Sequence, residues 1–286
     1  MTDWYGQTAF RVRLEWGRRG AVRAAKRGDV VVLVDVLSFS TLAAIAVARG
    51  AILYPCRTQA EVEETAQRVG GVIAQRRRHV TGPGHYSLSP QTFDAAPRGA
   101  RIAIASPNGA TCCRLAQAAP RVFVGGLLNA SATAMALVQT ITETNLPVTL
   151  VACGERWMDD INTTSGDTDS TTLGDGTLLS DNAVHSLGTL PGDGPLRVAL
   201  EDMLGAGAIA AYLPTELPAS PDIRAAVAAF RALENDLETA LLTCGSGVEL
   251  MERGFANDVR RAARLNGRNT AVVFVAGERL QDARSL

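Results

Sequence analysis

Short apolar runs alternate along the chain with segments of helical spacing, and turn-forming residues separate the two. Residues 30–35 (VVVLVD) form a continuous β-branched run, the pattern of a strand covered on both faces. The following STLAAIAVARG reads as a helix closing at Gly50, and AILYP as a second strand. In TQAEVEETAQRVG, Thr58 with Glu61 three residues later predicts a capped helix that stops at Gly70. VIAQ predicts a third strand. An irregular Gly/Pro/Ser segment then precedes RIAIA, a turn and a helix through Ala118. RVFVGG leads to a helix from about Ala130, and PVTLVAC is a further strand. This alternation predicts an α/β fold, a mostly parallel sheet layered with helices and joined by right-handed crossovers.

The rhythm breaks over residues 159–194, which are rich in Asp, Thr, Ser and Gly and are expected to form a flexible, solvated insertion. Beyond them a helical C-terminal third is predicted. PLRVALEDMLGAGAIAAYL reads as one helix, and PDIRAAVAAFRALENDLETALL as another that Ser220 and Pro221 start. SGVELMERG and FANDVRRAARLNG read as two shorter helices, and AVVFVAG returns to strand. The expectation is one compact domain over residues 1–286, open to division into two lobes.

Composition narrows the function. Lys and Arg total 28 against 29 Asp and Glu, which argues against a general nucleic-acid binder. The densest basic run, residues 76–78, reads as a solvated turn. No segment approaches the roughly 18 uninterrupted apolar residues of a membrane span. The first residues lack the pattern of a signal peptide. Cys56, Cys112, Cys113, Cys153 and Cys244 form no CxxC pair or metal-ligand spacing. They are expected to be reduced, buried thiols of a cytoplasmic protein. A homo-oligomer is left open.

In open α/β sheets, ligands bind beyond the carboxyl ends of the strands. Asp35 ends the first apolar strand, and a carboxylate there needs a cation or hydrogen bonds. It is a candidate metal ligand or catalytic acid, with a helix cap as the alternative. Ser106, Asn108, Gly109 and Thr111 follow RIAIA, where they would form either an anion cradle at a helix start or a plain turn. Asn129 follows RVFVGG. Glu155 and Arg156 follow PVTLVAC and would be anion and metal partners or a surface ion pair.

Steps of about 100° along LEDMLGAGAI put Leu200 and Met203 on the buried stripe and Glu201 on the polar side, with Asp202 partly buried. Cys244 is a candidate nucleophile, and Ser246 a candidate oxyanion contact or cap. If the strands are parallel, these groups converge on one rim.

In this order, VVLVDVLSFSTLAAIAVARGA, SPNGAT, VFVGGLLNASATA, ACGER, LEDMLGAGAI and CGSGVELMERGFANDV resemble the 2-phosphosulfolactate phosphatase family, from about residue 28 to residue 277 apart from the insertion. The resemblance implies a Mg²⁺-dependent phosphoric monoester hydrolase. It would convert 2-phospho-3-sulfolactate to 3-sulfolactate and phosphate in coenzyme M biosynthesis. It further implies Mg²⁺ on Asp35 with Glu201 or Asp202, and catalytic roles for Asp35, Glu155 and Asp202. Substrate contacts are implied for Ser106, Asn108, Gly109, Thr111, Asn129, Arg156 and Ser246. Direct water attack and an Asp35 phosphoenzyme are both compatible with it. One departure is Ser38, where many members of the family have Arg. The competing expectation is a non-catalytic binder of small anionic phosphorylated metabolites. A nucleotide-dependent transferase finds no phosphate-loop motif.

Overall fold

The computed structural model describes residues 4–80, 82, 84–157 and 195–285. Ten strands form one sheet: β1 (Val12–Trp16), β2 (Val30–Val34), β3 (Ile52–Cys56), β4 (Val72–Gln75), β5 (Tyr86–Ser87), β6 (Arg101–Ala105), β7 (Val122–Gly125), β8 (Val148–Ala152), β11 (Val272–Val275) and β12 (Arg279–Asp282). Between them in the chain, β9 (Glu155–Arg156) and β10 (Leu196–Arg197) pair as a separate antiparallel ribbon. The helices are α1 (Gly17–Lys26), α2 (Phe39–Ala48), α3 (Gln59–Val69), α4 (Gly109–Leu115), α5 (Ala130–Thr144), α6 (Leu200–Ala211), α7 (Pro221–Leu233), α8 (Leu237–Thr243), α9 (Gly245–Glu252) and α10 (Ala256–Ala262).

Strand order is β1-β8-β2-β7-β11-β12-β3-β6-β4-β5. Two parallel groups, β1-β8-β2-β7 and β3-β6-β4-β5, are joined by the antiparallel hairpin β11-β12. The hairpin turns through Ala276 and Gly277, both at positive φ, the handedness that two-strand turns favour. The expected parallel alternation is therefore present. AVVFVAG, however, runs antiparallel and pairs with β7.

β2 explains the layering. Val30, Val32 and Val34 pack on one face with Leu150, Leu204 and Ile209. Val31 and Leu33 pack on the other with Ala21, Ala24 and Leu42. Helices thus cover both faces, which is why the run is continuously apolar. Thr58 Oγ1 accepts from the Glu61 amide as predicted, while Glu61 Oε2 accepts from the Arg57 amide, one residue before the cap.

Three expectations are corrected. PLRVALEDMLGAGAIAAYL is not one helix, because Leu196 and Arg197 are drawn into the ribbon with β9 and α6 begins at Leu200. The long helix after Ser220 is two, broken before Asp236, whose type competes with helical hydrogen bonding. Residues 76–78 are not a wholly solvated turn, since the Arg77 side chain is only 19% exposed. The expected insertion at 159–194 lies outside the described residues. Among those residues no helix is long and apolar enough to cross a membrane.

Candidate active site

Asp35 directly follows the carboxyl end of β2 and is buried. Its Oδ1 accepts from the Phe39 amide at 3.3 Å, and its Oδ2 from the Gly109 amide at 2.7 Å. Ser106 Oγ stands 3.5 Å from the same Oδ2. The turn 106–109 does cradle an anion, and that anion is the protein's own Asp35 carboxylate. Gly109 is required for this approach: a Cβ there would press on the Phe39 ring and lie 2.7 Å from Asp35 Oδ2. Thr111 faces inward, its Oγ1 donating to the Ser106 carbonyl, so it closes the turn and offers no donor to a ligand.

Asp202 is equally buried, in the first turn of α6. Its Oδ1 accepts from the Val36 amide at 2.7 Å and its Oδ2 from the Gly154 amide at 2.8 Å. It therefore ties the loop after β2 to the loop after β8. Gly154 adopts φ +64° to aim its amide this way. Glu155, the next residue, is half-buried and accepts from Asn108 Nδ2 at 2.9 Å. Glu201 is 2% exposed, opposite to the polar face expected for it, while Leu200 is 38% exposed. The reason is that α6 is buried nearly all round by small residues, so apolar periodicity does not set its phase.

Asp35, Glu155, Glu201 and Asp202 thus share one electrostatic site. Burial first, and repulsion from Glu201 after it, pushes Asp35 up to about 6. Burial and repulsion from Asp35 and Glu201 push Glu155 up to about 8, and the same causes raise Asp202. These carboxyls hold protons more tightly folded than unfolded. Their stabilisation is then complete below the ordinary carboxylate value near 4 and is lost as pH rises through about 6 and 8. Without added divalent cation, the melting temperature is expected to fall between roughly pH 5 and 9. A thermal-melt series by circular dichroism checks this, and a flat or rising curve contradicts it.

Asn129 is not brought to the site as a ligand-facing group. Its Oδ1 accepts from the Gly126 amide and its Nδ2 donates to the Val124 and Thr270 carbonyls, which engages the whole side chain with backbone. Cys244 is no activated nucleophile. It is buried, donates to the Leu241 carbonyl at 3.2 Å and lies 3.4 Å from Glu201 Oε2, and burial with the Glu201 charge pushes it up to about 12. All five cysteines are free and buried.

Ser246 is buried at the start of α9 and does not cap it; its Oγ has no hydrogen-bond partner, and neither does Asn108 Oδ1. Buried polar atoms left open in this way are what a bound ligand would satisfy. Arg156 is half-buried on β9. Arg77, which the sequence reading set aside, reaches the loop after β2, where Nη2 donates to Ser38 Oγ at 2.9 Å. Two open surface grooves lie elsewhere, beside Gly70, Gly71, Val72 and Gly84, away from this group of acids.

Buried acids stand at the strand ends of a layered α/β sheet, where ligands bind in such folds, and the sequence comparisons give the class. The chain is a phosphatase, a hydrolase of phosphoric monoesters. The profile of the 2-phosphosulpholactate phosphatase family matches residues 19–173, more than half of the chain, and the protein belongs to that family. A protein of Carboxydothermus hydrogenoformans named a probable 2-phosphosulfolactate phosphatase is 27% identical over 239 residues, covering 82% of each chain.

Proposed function

We propose that the protein hydrolyses 2-phospho-3-sulfolactate to 3-sulfolactate and phosphate with Mg²⁺. The carrying observation is the buried Asp35 at the end of β2, held by the amides of Phe39 and Gly109 within the field of Glu201. The substrate is the one named for the family and for the relative described above.

The donors suit Mg²⁺ in one respect and not in another. Among the described residues no three His, Cys, Asp or Glu side chains converge as they would around an ion, so Asp35, Glu201 and Asp202 are not a ready-made triad. Mg²⁺, however, is commonly held by one or two carboxylates with water and substrate phosphate completing its shell. We assign Asp35 and Glu201, which share one field, to that arrangement. Asp202, like Asp35, accepts from two backbone amides, and it ties the loop after β2 to the loop after β8. When bound, Mg²⁺ would neutralise phosphoryl charge.

The chain's own groups account for the rest. Asn108 donates to Glu155, and we assign Glu155 as the acid that protonates the alkoxide leaving when the P–O bond breaks. Water adds to phosphorus and its proton leaves with the released phosphate. The open Ser246 Oγ is a hydrogen-bond donor for substrate oxygens, and Asn108 Oδ1, an acceptor, suits the attacking water. Arg156 follows Glu155 on β9, and we assign it as a cation for phosphate or sulfonate oxygens.

Orthophosphate release from 2-phospho-3-sulfolactate, with and without chelator, tests the activity. Mg²⁺ alone is expected to raise the melting temperature of the wild type and not that of Asp35→Asn. Equal shifts in both proteins would remove Asp35 from the metal site.

A further inference from the structure

We propose that Arg77 is a specificity-determining residue, the cation that binds the non-reacting anionic group of the substrate beside the loop after β2. The inference rests on the phosphatase reading above and names a residue that reading does not use.

The two acids assigned to the reaction are Asp35, buried in the loop after β2, and Glu155, past the end of β8. A substrate carrying a phosphate and a second anionic group needs a cation there. The Arg77 guanidinium is such a cation, and its field reaches Asp35. Its Nη2 donates to Ser38 Oγ at 2.9 Å and to the Leu88 carbonyl at 3.1 Å, which fixes that edge against the loop that presents Asp35.

The back of the group is held separately. The guanidinium carbon lies 5.4 Å from the centre of the Phe255 ring, and Nε stands 3.5 Å from Asp258 Oδ2. Asp258 is in turn fixed by Ser89 Oγ, which donates to its Oδ1 at 2.6 Å. The Arg77–Asp258 contact is a single long one, through Nε and Oδ2. A guanidinium present only to neutralise Asp258 would be expected to engage it face to face through two parallel bonds. Here Asp258 steadies the cation from behind, while the long planar group extends to Ser38, four elements away in the chain. Guanidinium geometry suits sulfonate and carboxylate alike, so both are candidates for the group it takes.

The test compares wild type, Arg77→Lys, Arg77→Gln and the double variant Arg77→Gln/Asp258→Asn. The double variant removes the buried carboxylate that a lost cation would leave uncompensated. Steady-state kinetics on 2-phospho-3-sulfolactate, 2-phospholactate and ethyl phosphate are paired with calorimetric binding of 3-sulfolactate and of lactate.

The proposal expects the glutamine variants to raise KM for the sulfonated substrate, and to weaken 3-sulfolactate binding, by about 10- to 100-fold with a smaller change in kcat. Arg77→Lys should recover part of the loss. If the preference for 2-phospho-3-sulfolactate over 2-phospholactate collapses, Arg77 takes the sulfonate. If the preference for 2-phospholactate over ethyl phosphate collapses instead, it takes the carboxylate. Unchanged preferences and unchanged binding overturn the proposal while leaving the phosphatase reading intact. A wild type that binds 3-sulfolactate without hydrolysing any ester overturns the phosphatase reading, and the binding data then judge Arg77 alone. A wild type that does neither overturns both.

Discussion

Asp35→Asn is expected to lower phosphate release by about 10³-fold while the protein stays folded. The carboxylate stands at the strand end where the loops after β2 and β6 meet, and it is the group through which the turn 106–109 is attached to β2. Asparagine keeps the shape but presents one oxygen where two are needed. Only one of the Phe39 and Gly109 amides can retain its acceptor, and the other faces an amide nitrogen. Leaving that donor open costs about 1–3 kcal/mol. Removing a carboxylate that burial and Glu201 already disfavour as an anion offsets part of this cost. Turnover should therefore fall far more than the melting temperature. Phosphate release and thermal melting on the same preparation check the pair of outcomes. A variant that turns over as fast as the parent would exclude Asp35 from the chemistry.

Asp29→Ala is expected to show the opposite profile: a large loss of stability and near-normal turnover per folded molecule at 25 °C. Asp29 is buried just before β2. Its Oδ1 accepts from Arg13 Nη1 at 2.9 Å, and its Oδ2 from Arg27 Nε at 3.0 Å and Thr149 Oγ1 at 2.6 Å. Arg27 also pairs with Glu15, so β1, α1, β2 and β8 are joined through one carboxylate. Removing it leaves the buried Arg13 without its counter-charge, a loss of about 3–5 kcal/mol. For a domain of this size that corresponds to a fall in melting temperature of roughly 10 °C. Asp29→Asn, which keeps one acceptor, should fall less. Differential scanning calorimetry of the two variants measures both effects, and an unchanged melting temperature for Asp29→Ala would refute the network.

Both aspartates flank the same valine-rich strand, and composition alone does not separate them. The strand-end rule does: Asp35 is at the carboxyl end and Asp29 at the amino end. The same rule picked out the turn 106–109 and Glu155, because a continuous apolar run followed by a turn residue marks where a parallel strand stops. It did not reveal that the turn's amide serves Asp35. β6 lies five strands from β2 in the sheet, and their meeting depends on how α4 packs back against β2.

Local sequence determined what depends on neighbours in the chain: the strand–helix alternation, the Thr58 cap, the Gly70 stop and the strand ends that carry Asp35 and Glu155. Tertiary structure decided what depends on distant partners. The antiparallel β11–β12 hairpin joins two parallel groups, Leu196 and Arg197 pair with β9, and Asn129 is drawn to backbone. Glu201 turns inward because α6 packs on nearly every side, which leaves no polar face for periodicity to detect. Arg77 sits in a basic run that resembles a surface turn until Phe255 and Asp258, far along the chain, pack behind it. Hydrophobic spacing reports which residues can be buried. Which charge meets which is set by chain crossings that no local pattern encodes.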